Sequence, residues 1–167
     1  LEKMLSGAVP VIWTMPNTPA LVQCGMTAVT KGRYARDHHL RFAMKFFSSV
    51  GEAVSLPEKA FHAVTAVSGS GPAYLFYLAE SLQKSAEDLG LDRKTAELLA
   101  RQTLVGAGKM LSAKISPQEL RKRVTSPGGT TEAAVKHLAA KKWSRIFEEA
   151  VRKARNRSAE LSALLGS

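Results

Sequence analysis

Residues 124 to 138, VTSPGGTTEAAVKHL, set a proline and two adjacent glycines directly before a helical pattern whose first turn carries two threonines. Pro127 fixes its own φ and pushes Ser126 toward an extended backbone, while Gly128 and Gly129 permit positive φ and carry no side chain. A helix starting there presents unpaired N–H groups and the positive end of its dipole, which together make an anion site. A carboxylate or phosphate can then approach the backbone closely, with the hydroxyls of Thr130 and Thr131 as further donors. The alternative is an ordinary cap in which threonine satisfies its own backbone. Two glycines and a proline exceed what a cap needs, and Glu132 completes no strict capping box with either threonine.

Two further segments hold residues placed for binding. AVSGSGPAYLF (66 to 76) breaks helix rules inside a strongly helical stretch, with Gly69, Gly71 and Pro72 all unfavourable in a helix interior. Proline withdraws the donor that the Ser68 carbonyl would use, leaving that acceptor and the Ser68 and Ser70 hydroxyls open to a ligand. A kink that lets another helix cross closely explains the same residues equally well. TMPNTPA (14 to 20) sets Asn17 and Thr18 between two prolines just after a strand, where an amide side chain can meet a cofactor. Asn and Pro are also routine turn residues.

The elements that position these segments divide into two parts. In residues 1–57, VPVIWT, GMTAVTKG and EAVSLP read as short strands, with a helix over RDHHLRFAMKFFSSVG whose Leu40, Ala43, Met44 and Phe47 recur at helical spacing. So few local strands form the tail of an α/β layer rather than a complete one. The opening LEKMLSGAVPVIW resembles a helix end leading into a strand, so a nucleotide-binding portion is expected upstream.

From Glu58 onward the pattern is helical: one helix of about 33 residues to Gly90, apolar on most faces at its centre and so expected to be buried by neighbours. A helix capped by Asp92 follows, then a short one with Ser116 as cap and Pro117 at its first position, then TEAAVKHLAA. The last is a basic amphipathic helix from Lys142 to about Ala163, with Trp143, Ile146, Phe147, Ala150, Val151 and Ala154 along its apolar stripe. The fold class expected is mainly α, a helical domain over 58–167 preceded by an α/β remnant over 1–57.

Composition narrows the function. The 167 residues carry a net charge of +10, and all of the excess lies after residue 92, where sixteen basic residues meet six acidic ones. Lys136, Lys141, Lys142, Arg152 and Lys153 sit on amphipathic helices as solvated faces do, with no aromatic stacking platform or zinc-finger spacing to favour nucleic acid. No apolar run is long enough for a membrane span and no cleavable leader opens the chain, so the expected setting is cytoplasmic. Cys24, the single cysteine, lies in apolar surroundings and reads as a small buried residue; with four scattered histidines it forms no metal-ligand set.

MPNTP, SGSGPAY and VTSPGGTT, in this order with long helices between, resemble the pyrroline-5-carboxylate reductase family across essentially the whole chain. Val124 to Thr131, then Ala134, Val135 and Leu138, fit its signature stretch position by position; Ala139, where the family usually has an acidic or amide residue, departs from it. The resemblance implies a Rossmann domain ending near residue 57 and a helical dimerisation domain of the 6-phosphogluconate-dehydrogenase C-terminal type. It also implies NAD(P)H-dependent reduction of 1-pyrroline-5-carboxylate to L-proline in proline biosynthesis, and a homodimer or larger homo-oligomer.

By the same resemblance, Ser126, Gly128, Gly129 and Thr130 hold the substrate carboxylate, and Thr131 binds the imine nitrogen and helps protonate it as the catalytic residue. Met15, Pro16, Asn17, Thr18, Ser68, Gly69 and Pro72 border the nicotinamide of NADPH or NADH. Orientation and one proton suffice for such chemistry.

The family's glycine-rich phosphate loop is missing, since no G-x-G-x-x-G follows a strand here, so most of the cofactor site is absent and little turnover is expected of this chain alone. Two other readings compete: a helical dimerisation module without catalysis, and the C-terminal part of a β-hydroxyacid dehydrogenase relative. Against the latter, Lys59 and Lys84 lie far from SGSGP.

Overall fold

A computed structural model of the chain describes residues 2, 5–113 and 115–166, with the backbone alone at 165 and 166. The opening helix end expected around residues 1–8 falls partly outside the described residues. Two compact units are formed, one from Leu1–Pro72 with Ala150–Ser167 and the other from Ala73–Glu149. The first unit thus takes in residues from both sides of the second along the chain.

The first unit is built on a three-stranded sheet in the order β1 (Ile12–Met15), β2 (Gly25–Lys31), β3 (Gly51–Ser55). β1 runs antiparallel to β2, from Ile12 opposite Lys31 to Met15 opposite Ala28. β3 runs parallel to β2, from Gly25 opposite Gly51 to Val29 opposite Ser55. As the central strand, β2 supplies Thr27, Ala28 and Val29 to the interior. The intervening helix α1 (Asp37–Phe47) turns Ala43 inward, as its spacing predicts, and leaves Phe42 and Phe46 exposed. A 3₁₀ turn over Thr18–Val22 joins β1 to β2. Cys24 follows that turn and is exposed rather than buried, because the apolar residues around it, Leu21 and Val22, themselves face outward.

The long helix expected over 58–90 is a chain of segments. A 3₁₀ turn (Glu58–Ala60) and the short helix α2 (Phe61–Val64) lead into a π-helical turn (Thr65–Gly69), and after Ser70 the helix α3 (Gly71–Asp88) begins. Pro72 therefore stands in the first turn of α3, directly after the π-helical turn, and not in the interior of one long helix. Phe61 is buried and packs against Trp13, with ring centroids 4.5 Å apart.

The second unit holds most of α3, then α4 (Arg93–Leu111), α5 (Pro117–Arg123), α6 (Thr130–Ala140) and the start of α7 (Trp143–Gly166). The expected caps are in place: Asp92 accepts from the amides of Lys94 and Thr95, and Ser116 from that of Glu119. Ala96 and Ala100 of α4 are buried, whereas α3 buries none of its residues and leaves Leu75, Phe76 and Tyr77 exposed. The burial expected for its apolar centre is thus partial, with Tyr74 and Leu78 half-buried. Tyr74 meets Phe147 edge-on at 5.6 Å. Charged residues on these helices form exposed pairs one turn apart, such as Arg101 with Glu97 and Arg123 with Glu119. Among the described residues no helix is long and apolar enough to cross a membrane.

Candidate functional site

The predicted site residues fall in two groups, one in each compact unit. The first joins the end of β1 to the π-helical turn. Asn17 lies between them, half-buried: its Nδ2 donates to the Ser68 carbonyl at 3.0 Å, and its Oδ1 accepts from the Met26 amide at 2.8 Å. The physical reason lies four residues beyond Ser68. In a regular helix the Ser68 carbonyl would accept from the amide of residue 72, but residue 72 is proline and has none.

The side chain of Asn17 supplies that missing donor. The acceptor expected to stay open to a ligand is therefore engaged by the protein itself. The Ser68 hydroxyl likewise donates to the Val64 carbonyl at 3.1 Å, and the π-helical turn is closed by the Ser70 amide on the Thr65 carbonyl at 2.7 Å.

Gly69 is explained by close approach. A Cβ built on it would lie 3.0 Å from the Met15 methyl group, so the absence of a side chain lets the π-helical turn rest on the end of β1. The close neighbour at Gly69 is thus the end of a strand, not the crossing helix expected there. Pro16 and Thr18 are exposed, giving this end of β1 an open face beside the Asn17 clamp.

The second group is the glycine turn. Its Ser126 carbonyl accepts from the Gly129 amide at 3.0 Å, closing a four-residue turn with proline second and glycine third. Gly128 has φ +73, the left-handed value that this position of a type II turn requires. Gly129 is extended, with φ −81 and ψ 170, and caps α6 without any side-chain bond to the helix amides. A Cβ at Gly129 would stand 2.5 Å from Ser126 Oγ, so glycine is needed to let that hydroxyl lie over the helix start. At Gly128 a Cβ would meet nothing within 4 Å, so there it is the backbone conformation that demands glycine.

Three amides were candidates for holding an anion, and they differ in what they already hold. That of Gly128 donates to Glu132 Oε2 at 2.9 Å, and that of Gly129 closes the turn. The amide of Thr130 opens the helix, where α-helical geometry leaves the first N–H groups without partners of their own. Ser126 and Thr130 are exposed and Thr131 is half-buried at the second position of the helix. Glu132 is the participant that the sequence reading passes over. Its partner is neither threonine but the glycine before the cap, four residues back.

The glycine turn thus holds the Glu132 carboxylate on a backbone amide, and the end of β1 is exposed beside the Asn17 clamp. Among the described residues no group of three or more metal-ligating side chains stands together.

Comparison with known proteins gives these features a family. Residues 58–161 match the family model described as pyrroline-5-carboxylate reductase dimerisation. The pyrroline-5-carboxylate reductase of Pseudomonas aeruginosa is 45% identical over 168 residues, covering 99% of this chain and 62% of that protein. That of Corynebacterium melassecola is 42% identical, covering 96% and 60%. Among solved structures, a pyrroline-5-carboxylate reductase from Coxiella burnetii superposes with a TM-score of 0.89 at 41% identity, covering 96% of this chain and 60% of that one. The Plasmodium falciparum pyrroline carboxylate reductase, solved with NADP bound, gives 0.83 at 30% identity, covering 94% and 64%. The chain thus spans about three fifths of the length of the relatives it matches. With a model match over 58–161 and the predicted motifs in place, the chain belongs to the pyrroline-5-carboxylate reductase family.

Proposed function

We propose that this chain supplies the substrate-binding and dimerisation part of an oxidoreductase that reduces 1-pyrroline-5-carboxylate to L-proline. The observation that carries this reading is the glycine turn: a helix start whose cap residue is a glycine, preceded by a backbone amide that already holds one carboxylate. In this reading Ser126, Gly128, Gly129 and Thr130 bind the substrate carboxylate. Thr131 directs its hydroxyl to the ring nitrogen and helps deliver the proton. The helix dipole favours the negative end of the substrate, which fixes the ring's orientation before any bond changes.

A nicotinamide cofactor, NADPH or NADH, supplies hydride when bound. This chain offers it a border over Met15, Pro16, Asn17, Thr18, Ser68, Gly69 and Pro72, and no glycine-rich loop for its phosphates. The Asn17 clamp supports a positioning role for this border, since it holds the turn after β1 and the π-helical turn in one arrangement. The division into a Rossmann remnant over 1–57 and a helical domain over 58–167, and a cytoplasmic homodimer or larger homo-oligomer, belong to the same reading. Exposed Leu75, Phe76 and Leu98 on α3 and α4 support the self-association.

Titration of the chain with L-proline, followed by backbone amide shifts, tests the reading. Selective movement of Thr130 and Thr131, with Gly128 and Gly129 beside them, is expected. Movement confined to other segments would overturn it. The purified chain is also expected to turn over little or no NADPH with the imine.

A further inference from the structure

Glu132 is the one acidic residue between Glu119 and Glu148, and it stands in the first turn of the helix proposed to receive an anionic substrate. Its two carboxylate oxygens are divided: Oε2 accepts from the Gly128 amide at 2.9 Å, and Oε1 pairs with Lys136 Nζ at 3.1 Å. The side chain is 31% exposed, and that of Lys136 is 73% exposed.

Resting on the substrate reading above, we infer that Glu132 is an internal competitor for the substrate carboxylate: its bond to the Gly128 amide has to give way to the ligand, and this sets the affinity for the ligand.

Three physical points carry this. The glycine turn has a limited number of outward amides, and one of them is spent on a carboxylate of the protein's own. A second carboxylate arriving at Thr130 meets the Glu132 charge at close range, and like charges raise each other's energy unless one moves away. Glu132 also has somewhere to go. Lys136 lies one turn along α6 and already holds one oxygen, and an exposed pair of this kind is weak enough to rearrange at little cost. When Glu132 leaves, the bound ligand takes over the favourable interaction of a negative charge with the helix start.

The test compares the native chain with Glu132→Gln and Glu132→Ala, each titrated with L-proline and with L-prolinamide and followed by amide shifts. Glutamine keeps an acceptor for the Gly128 amide and removes the charge; alanine removes both. L-proline is expected to bind about three- to tenfold more tightly to the alanine variant, with the glutamine variant between. The Gly128 amide is expected to move with Thr130 and Thr131 most strongly in the alanine variant. L-Prolinamide, which lacks the carboxylate and carries a net positive charge, is expected to gain no affinity from either substitution.

Equal or weaker L-proline binding by the variants, with the turn amides still moving in the native chain, would overturn the inference and leave the substrate reading standing. No movement of residues 128–131 in any of the three chains would overturn both. Should alanine fray α6, seen as loss of its helical amide shifts, the glutamine variant decides: affinity equal to the native chain rejects the competitor role.

Discussion

Single atoms decide several properties here. Thr27 is 1% exposed in the central strand and its Oγ1 has no hydrogen-bond partner. A buried hydroxyl left unpaired is less stable than a methyl group of the same shape, so Thr27→Val is expected to stabilise the chain by about 1 kcal/mol, read as a higher urea midpoint. Gly129 is constrained in the opposite sense, since a methyl there strikes Ser126 Oγ at 2.5 Å and the Ser126 carbonyl at 3.1 Å. Gly129→Ala is expected to turn the hydroxyl away, with little change in stability, and to weaken the L-proline-induced shifts of Thr130 and Thr131. Gly71→Ala, where a Cβ meets nothing within 4 Å, is expected to leave those shifts unchanged in the same titration.

At the scale of elements, the coupling between Asn17 and Pro72 can be measured as an energy. Asn17→Ala leaves the Ser68 carbonyl and the Met26 amide without this partner, an expected loss of about 2 kcal/mol. In a Pro72→Ala background residue 72 has an N–H for the Ser68 carbonyl, so the loss is expected to shrink by about 1 kcal/mol; a double-mutant cycle in urea checks it. The cap of α4 brings a pH dependence. Bonds from Thr95, side chain first and then amide, hold the Asp92 carboxyl below the ordinary aspartate range. A depressed folded-state value means that the cap stabilises α4 above the unfolded pKa and loses its effect as pH falls through the folded one. Acid titration followed by circular dichroism is expected to show helix lost in that window, and Asp92→Asn, which keeps an acceptor without titrating, to flatten it.

The same elements show what could be read from the residues alone. Strand positions, α1 and the two caps were legible because hydrophobic spacing and capping chemistry are local. The turn at 126–129 was legible because proline and glycine dictate backbone geometry wherever they stand. The π-helical turn and the Asn17 clamp were not, since they depend on a side chain 51 residues away meeting a carbonyl that a proline had freed. The Glu132 contact was not legible because it reaches the amide before the cap residue, one position outside the capping-box spacing.

Across the whole molecule the interior is small. Its buried apolar residues, among those described, are Phe61, Val29 and six alanines, while Leu75, Phe76, Tyr77, Leu98 and Leu99 face outward. Such faces are expected to close on a second copy of the chain, giving twice the monomer mass in sedimentation equilibrium. Phe76→Lys or Leu98→Glu is expected to weaken that association by about 2 kcal/mol for each side chain returned to water, shifting the mass toward the monomer. The first compact unit gathers residues from both sides of the second, and His62 Nδ1 meets Ser158 Oγ at 3.0 Å across 96 residues of chain. During synthesis, then, the helices of the second unit can settle as soon as they leave the ribosome. The sheet unit must wait with its strands made and its last helix still unwritten, which makes it the slower unit to mature and the one that a nascent-chain chaperone would find open longest.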